Sequence, residues 1–140
     1  MNLNTPNKII SVIIPTYNEY KNLPKLLDQL LNLETIFEKE IIIVDDNSSD
    51  GTQNLARSYS QNDRRIRLIS RLGRSGLSSA IKEGCLCASG DLIVIMDADG
   101  QHEPNSIIYG LKKFNNKNID IITGSRFLEE SIIKGLSSKR

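Results

Sequence analysis

The 140-residue sequence has almost no charge excess of either sign, with 18 Lys and Arg facing 17 Asp and Glu for a formal net charge of +1. A dedicated nucleic-acid binder advertises a basic surplus, so nucleic acid is not an expected partner. Cysteine is sparse as well. Cys85 and Cys87 stand two apart, which fits neither the C-x-x-C spacing of metal and redox sites nor a disulfide framework. They are expected as core or helix residues in a reducing compartment. No apolar run approaches the ~18 residues of a membrane span, and Met1-Asn2-Leu3-Asn4 lacks the basic and apolar regions of a signal peptide. The chain as given is therefore expected to be soluble. Low-complexity tracts and long linkers are missing, and the 39% hydrophobic, 25% charged composition is that of one ordinary folded domain.

What is present is alternation. Ile9-Ile10-Ser11-Val12-Ile13-Ile14 is a β-branched run closed by Pro15, apolar on both faces as a buried parallel strand requires. Asn22 then offers an N-cap, and Leu23, Leu26, Leu27, Leu30 and Leu31 recur at the spacing of one helical face. The pattern continues with strands at 40–44, 66–69 and 92–96 and a fifth expected at 119–123. Between them lie helices around Leu55, Ala56 and Tyr59, then Ala80, Ile81, Gly84 and Cys85, and then Ile107, Ile108, Leu111 and Phe114. Strands alternating with helices predict an α/β fold with a mostly parallel sheet, whose ligands sit at the carboxyl ends of the strands.

Those ends carry the chemistry. Asp97-Ala98-Asp99-Gly100-Gln101 follows the most apolar strand, and residues two apart in extended backbone share a face. Two carboxylates and an amide oxygen there suit a hard ion, Mg²⁺ or Mn²⁺, together with a diphosphate. A solvated turn would use similar residues. His102 is a candidate fourth ligand or a surface histidine beside the site. Asp45 and Asp46 end another strand, where a carboxylate can accept hydrogen bonds from a base or ribose, whereas Asp50 or Ser49 is expected to cap the following helix. Arg71, Arg74 and Arg126 place positive charge on the same edge, either for a diphosphate or as surface arginines.

Four ordered blocks, Val12-Ile13-Ile14-Pro15-Thr16-Tyr17-Asn18-Glu19, Ile43 to Thr52, Gly90-Asp91 leading to Met96-Asp97-Ala98-Asp99, and Gly124-Ser125-Arg126-Phe127, resemble the family 2 glycosyltransferases of GT-A fold. With Gln101-His102-Glu103-Pro104, the likeness is to their dolichol- or polyprenyl-phosphate hexosyltransferase branch, although Gly100 departs from the bulkier apolar residue usual there. The resemblance implies a Rossmann-like GT-A sheet, incomplete at its C-terminus. Residues 1–8 would be an extension, 9–127 the nucleotide-sugar-binding half, and 128–140 the start of a truncated acceptor half. It further implies that Pro15, Tyr17 and Glu19 line the nucleotide pocket and that Val44 and Asp46 read base and ribose. Asp97, Ala98, Asp99 and Gln101 would hold metal and diphosphate, and Arg126 a phosphate, with Asp97, Asp99 and Arg126 serving catalysis. The implied reaction is inverting transfer of a hexose from GDP-mannose or UDP-glucose to a polyprenyl or dolichyl phosphate. The implied place is the cytoplasm, at the cytoplasmic face of a membrane, through peripheral association. Two other classes share part of the pattern: a non-catalytic nucleotide-sugar or Mg²⁺-binding module, and a haloacid-dehalogenase-type phosphatase built on Asp97-Ala98-Asp99. Nothing in the sequence sets an oligomeric state.

Overall fold

In a computed structural model of the chain, residues 8–73, 75–114 and 119–125 are described. The strands are β1 (Ile9–Thr16), β2 (Glu38–Asp45), β3 (Ile66–Ser70) and β4 (Leu92–Ile95); the helices are α1 (Leu23–Leu31), α2 (Thr52–Asn62), α3 (Leu77–Cys87) and α4 (Asn105–Phe114). All pairings are parallel, in the order β3-β2-β1-β4. The two central strands are the ones buried on both faces, and their apolar runs are what that burial demands. Ile10, Val12, Ile14, Ile41 and Ile43 face α1, while Ile13, Ile42 and Val44 face Ala80 of α3. Fully burying each such side chain stabilises the fold by about 1.5–3 kcal/mol.

The strand order reverses between β1 and β4, and there the sheet opens. β4 pairs only with Ile10 to Ile13 of β1, ending where the Met96 amide donates to the Ile13 carbonyl. Odd-numbered residues of β1 direct their backbone groups toward β4, so Pro15 lies where the partner has already departed and its missing N–H leaves no ladder bond unmade. This is the topological switch point at which open α/β sheets bind ligands.

Two further features fix helices onto the sheet, the first toward its crown and the second at its base. An added Cβ at Gly84 would lie 2.4 Å from Ile13 Cγ2 and 3.0 Å from Val44 Cγ2, so glycine lets α3 lie close over the end of β2. Lys39 of β2 donates from Nζ to the carbonyls of Leu30, Leu31 and Leu33 at 2.7–3.0 Å, closing the C-terminus of α1.

The structure corrects two expectations. Asn22 occupies the N-cap position of α1, but its side chain makes no cap bond and donates instead to Glu19 Oε2 at 2.8 Å. Residues 119–123 form no strand: Ile121 is exposed, and a strand exists only where a neighbour supplies ladder hydrogen bonds, which no described segment offers it. No helix among the described residues is long and apolar enough to cross a membrane.

Candidate functional site

The loops after the paired strands β1 and β2 brace each other beside the switch point. Asn18 and Asn47 both adopt φ of 58°, in the left-handed region that asparagine tolerates. The Asn18 amide donates to Ser48 Oγ, and Asn18 Oδ1 accepts the Ser49 amide at 3.0 Å. Thr52 Oγ1 receives the Glu19 amide, and Asp50 receives the amides of Tyr20 and Thr52 and the Thr52 hydroxyl. Hydrogen bonding, from the Thr52 hydroxyl first, holds the Asp50 carboxyl below its ordinary range. The N-cap position of α2 is held by Gly51 and not by the expected Asp50 or Ser49, but Asp50 secures the start of that helix from one residue earlier through Thr52.

The adjacent acids Asp45 and Asp46 diverge, as neighbours on a strand must. Asp45 is fully buried and receives the Ser48 amide (3.0 Å), the Ser48 hydroxyl (2.5 Å), the Thr16 hydroxyl (3.3 Å) and the Gln53 side-chain amide (3.4 Å). It is the anchor of its own loop. Asp46 turns toward a cleft of about 540 Å³ that it lines with Tyr17, Asn47, Gly73, Ser75, Gly76 and Leu77. Its Oδ1 receives Arg71 Nη1, and its Oδ2 receives the Gly76 amide at 2.8 Å. Tyr17 lies across the cleft with 64% of its surface exposed, a large apolar face left in solvent.

Arg71 does not offer its charge to a ligand. Its side chain is 1% exposed, and it donates to Asp46, Glu83 (3.2 Å), Ser79 (2.6 Å) and the Gly76 carbonyl (3.3 Å). Val44 is likewise buried, its side chain packed with Ile13 and Ala80 beneath α3. Glu19 is half-buried and paired with Asn22, and Pro15 stands at the open end of β1. Arg74 and Arg126 lie outside the described residues.

The turn after β4 is built differently. Ala98 is buried in the core against the α1 face of the sheet, so the residues on either side of it, Asp97 and Asp99, are thrown toward solvent. Gly100 has φ of 78°, and Asp99 Oδ1 accepts the Gln101 amide at 2.9 Å, a short side-chain-closed turn. Among the described residues, the Asp97 carboxylate and the Gln101 carboxamide have no protein partner, and Asp99 has only its own turn. Such bare oxygen donors fit a hard divalent cation. No three His, Cys, Asp or Glu side chains gather into a cage among the described residues, so the protein would leave positions for ligand oxygens. His102 is not the extra ligand. Its Nδ1 accepts the Asp97 amide at 3.2 Å, so that nitrogen is spent on shaping the turn.

An acidic turn and a cleft at the same carboxyl edge of the sheet coincide with a family pattern that matches residues 11–135, described as Glycosyl transferase family 2. The chain belongs to this family. It is 42% identical over 120 residues to a dolichol-phosphate mannosyltransferase of Pyrococcus furiosus, covering 86% of this chain and 34% of that protein. It is 33% identical to a dolichyl-phosphate beta-glucosyltransferase of Trichomonas vaginalis, covering 89% and 42%. The chain thus spans between a third and somewhat under half of the length of these relatives. Among solved structures, a mannosyltransferase from Pyrobaculum calidifontis, in complex with GDP-Man and Mn²⁺, superposes with a TM-score of 0.69 at 25% identity, over 82% of this chain and 34% of that one. The fold is the GT-A arrangement of that structure.

What sequence reasoning missed is the inward role of Arg71 and Asp45. Their residue types are those of ligand contacts, and only three-dimensional burial separates them from Asp46. The long hydrogen-bonding reach of Ser48 and Thr52 was equally invisible, since it joins loops some 30 residues apart.

Proposed function

We propose that this glycosyltransferase chain binds a nucleotide-diphospho-sugar, GDP-mannose or UDP-glucose, and takes part in inverting transfer of its hexose to a polyprenyl or dolichyl phosphate. The observation that carries this reading is the Asp97-Ala98-Asp99-Gly100-Gln101 turn, whose Asp97 carboxylate and Gln101 carboxamide have no partner among the described residues, standing at the same sheet edge as the cleft lined by Tyr17 and Asp46. The similar Pyrobaculum calidifontis protein was solved with GDP-Man and Mn²⁺, and the two relatives are named for dolichol- or dolichyl-phosphate glycosylation. Residues 9–127 would form the donor half.

In this reading Tyr17 and Pro15 border the nucleoside, and Asp46 accepts hydrogen bonds from base or ribose with the lone pairs that Arg71 and Gly76 leave free. Asp97, Asp99 and Gln101 would hold Mg²⁺ or Mn²⁺, which when bound neutralises charge on the departing diphosphate. Arg126 would add a cation to a phosphate. In the transfer itself, an oxygen of the acceptor phosphate forms the new bond to the anomeric carbon from the face opposite the diphosphate, as the old carbon–oxygen bond breaks and its electrons leave with the diphosphate. An anionic phosphate acceptor carries no proton to be removed, so the chain needs no general base for that step. Acceptor binding at a membrane surface belongs to the same proposal, supported by the relatives' names.

The test is calorimetric titration of the purified chain with GDP, UDP, GDP-mannose and UDP-glucose, in Mn²⁺ and in chelator. Metal-dependent binding of one nucleotide class is the expected result. A folded chain that binds none of the four would overturn the donor-binding reading for these 140 residues.

A further inference from the structure

Arg71 sits on the ligand edge of the sheet, yet four of its five N–H groups are committed to Asp46, Glu83, Ser79 and the Gly76 carbonyl, and its side chain is 1% exposed. It therefore ties three elements together: the end of β2 through Asp46, the end of β3 on which it stands, and the first two turns of α3 through Ser79 and Glu83. The Arg71 amide also donates to the Asp45 carbonyl at 2.9 Å, so its own backbone is part of the ladder. The effect falls on Asp46. One oxygen takes the guanidinium and the other takes the Gly76 amide, which fixes the plane of the carboxylate at the wall of the cleft.

We propose that Arg71 is a positioning residue for the nucleotide, acting through Asp46 and Gly76, and that it makes no contact with the diphosphate. The inference rests on reading the cleft as the nucleotide pocket. A lysine cannot take over the role, because a single ammonium cannot span acceptors that the planar guanidinium reaches from three nitrogens.

The experiment measures binding of GDP or UDP, whichever the parent chain takes with Mn²⁺, and of the matching nucleoside by competition against it. Arg71→Lys is expected to weaken nucleoside and nucleoside diphosphate by the same factor, roughly tenfold, as for a hydrogen-bonded charge misplaced by one substitution. In an Asp46→Asn background, Arg71→Lys should add less than about twofold, because coupled residues do not sum. Loss confined to the diphosphate would make Arg71 a phosphate ligand and overturn the proposal. So would an undiminished affinity, or a full further loss in the Asp46→Asn background. If Arg71→Lys fails to fold by circular dichroism, Ser79→Ala removes one acceptor of Arg71 at an exposed helix position. It should weaken both ligands alike by about threefold, and unchanged affinity overturns the proposal. A parent chain that binds neither GDP nor UDP overturns the pocket reading as well, and that result is read before any variant is compared.

Discussion

Two acidic loops crown the same edge of the sheet, and they differ in what their carboxylates touch. After β2, Asp45 and Asp50 are held by amides and hydroxyls supplied by the protein, and Asp46 is fixed by a guanidinium and an amide while keeping lone pairs toward the cleft. After β4, among the described residues the Asp97 carboxylate has no protein partner and the Asp99 carboxylate has only the Gln101 amide. A carboxylate that has its donors is already paired and serves to hold backbone in place. One left bare in a folded chain retains its capacity for a cation. The first loop is thus a preformed wall, and the second is left open in the way the proposed metal site requires.

The sharpest way to break this contrast is to exchange the consequences of the two kinds of acid. Asp45→Ala strands the Ser48 amide and hydroxyl in a buried setting and should lower unfolding stability by about 3 kcal/mol, read as a shifted urea midpoint. Asp99→Asn, by contrast, should leave that midpoint within about 0.5 kcal/mol. It should instead remove Mn²⁺-dependent nucleotide binding, at least tenfold by calorimetry, because a charge leaves the ion's shell at constant volume. Equal destabilisation by the two substitutions would erase the distinction. Gln101→Ala removes a neutral oxygen and should weaken the metal-dependent binding by only a few fold, with stability again unchanged. Metal titration without nucleotide sharpens the point further. With two carboxylates and an amide and no third acid, the chain alone should bind Mn²⁺ weakly, and nucleoside diphosphate should raise that affinity.

The legible part of this architecture was the part governed by period and order. Leu23 to Leu31 at helical spacing and the β-branched runs at 9–14 and 40–44 became α1, β1 and β2 because burial on one stripe or both faces leaves a one-dimensional trace. The Asp97-Ala98-Asp99 turn was legible for the same reason, a small apolar residue between two acids at the end of an apolar strand. Arg71 was not. Whether a guanidinium points out to phosphate or in to Asp46 depends on Ser79 and Glu83 of a helix that follows it, and on how closely Gly84 lets that helix approach Ile13. The strand expected at 119–123 had the right composition, but a strand is a property of its neighbours as much as of itself.

The smallest expected effect tests whether saturated carboxylates are structural wherever they occur, by moving to the opposite end of the sheet. Burial opposes ionisation of Glu40, yet hydrogen bonds from the Ser11 hydroxyl, the Ser89 amide and Arg67 outweigh it and hold the carboxyl at about 2. A carboxyl whose folded value lies below its unfolded one contributes stability above the unfolded value, and that contribution is lost as pH falls. For Glu40 the window runs from its ordinary 4.5 down to about 2. The denaturation free energy of the parent chain should therefore slope downward across that range, and Glu40→Gln should reduce the slope to the part that Asp63, held at about 2 by Arg65, and Asp50 contribute, while leaving metal-dependent nucleotide binding at neutral pH unchanged. If the slope is undiminished by the substitution, Glu40 does not contribute to it. If binding falls with it, the base of the sheet and its crown are coupled more tightly than their separate hydrogen-bond networks imply.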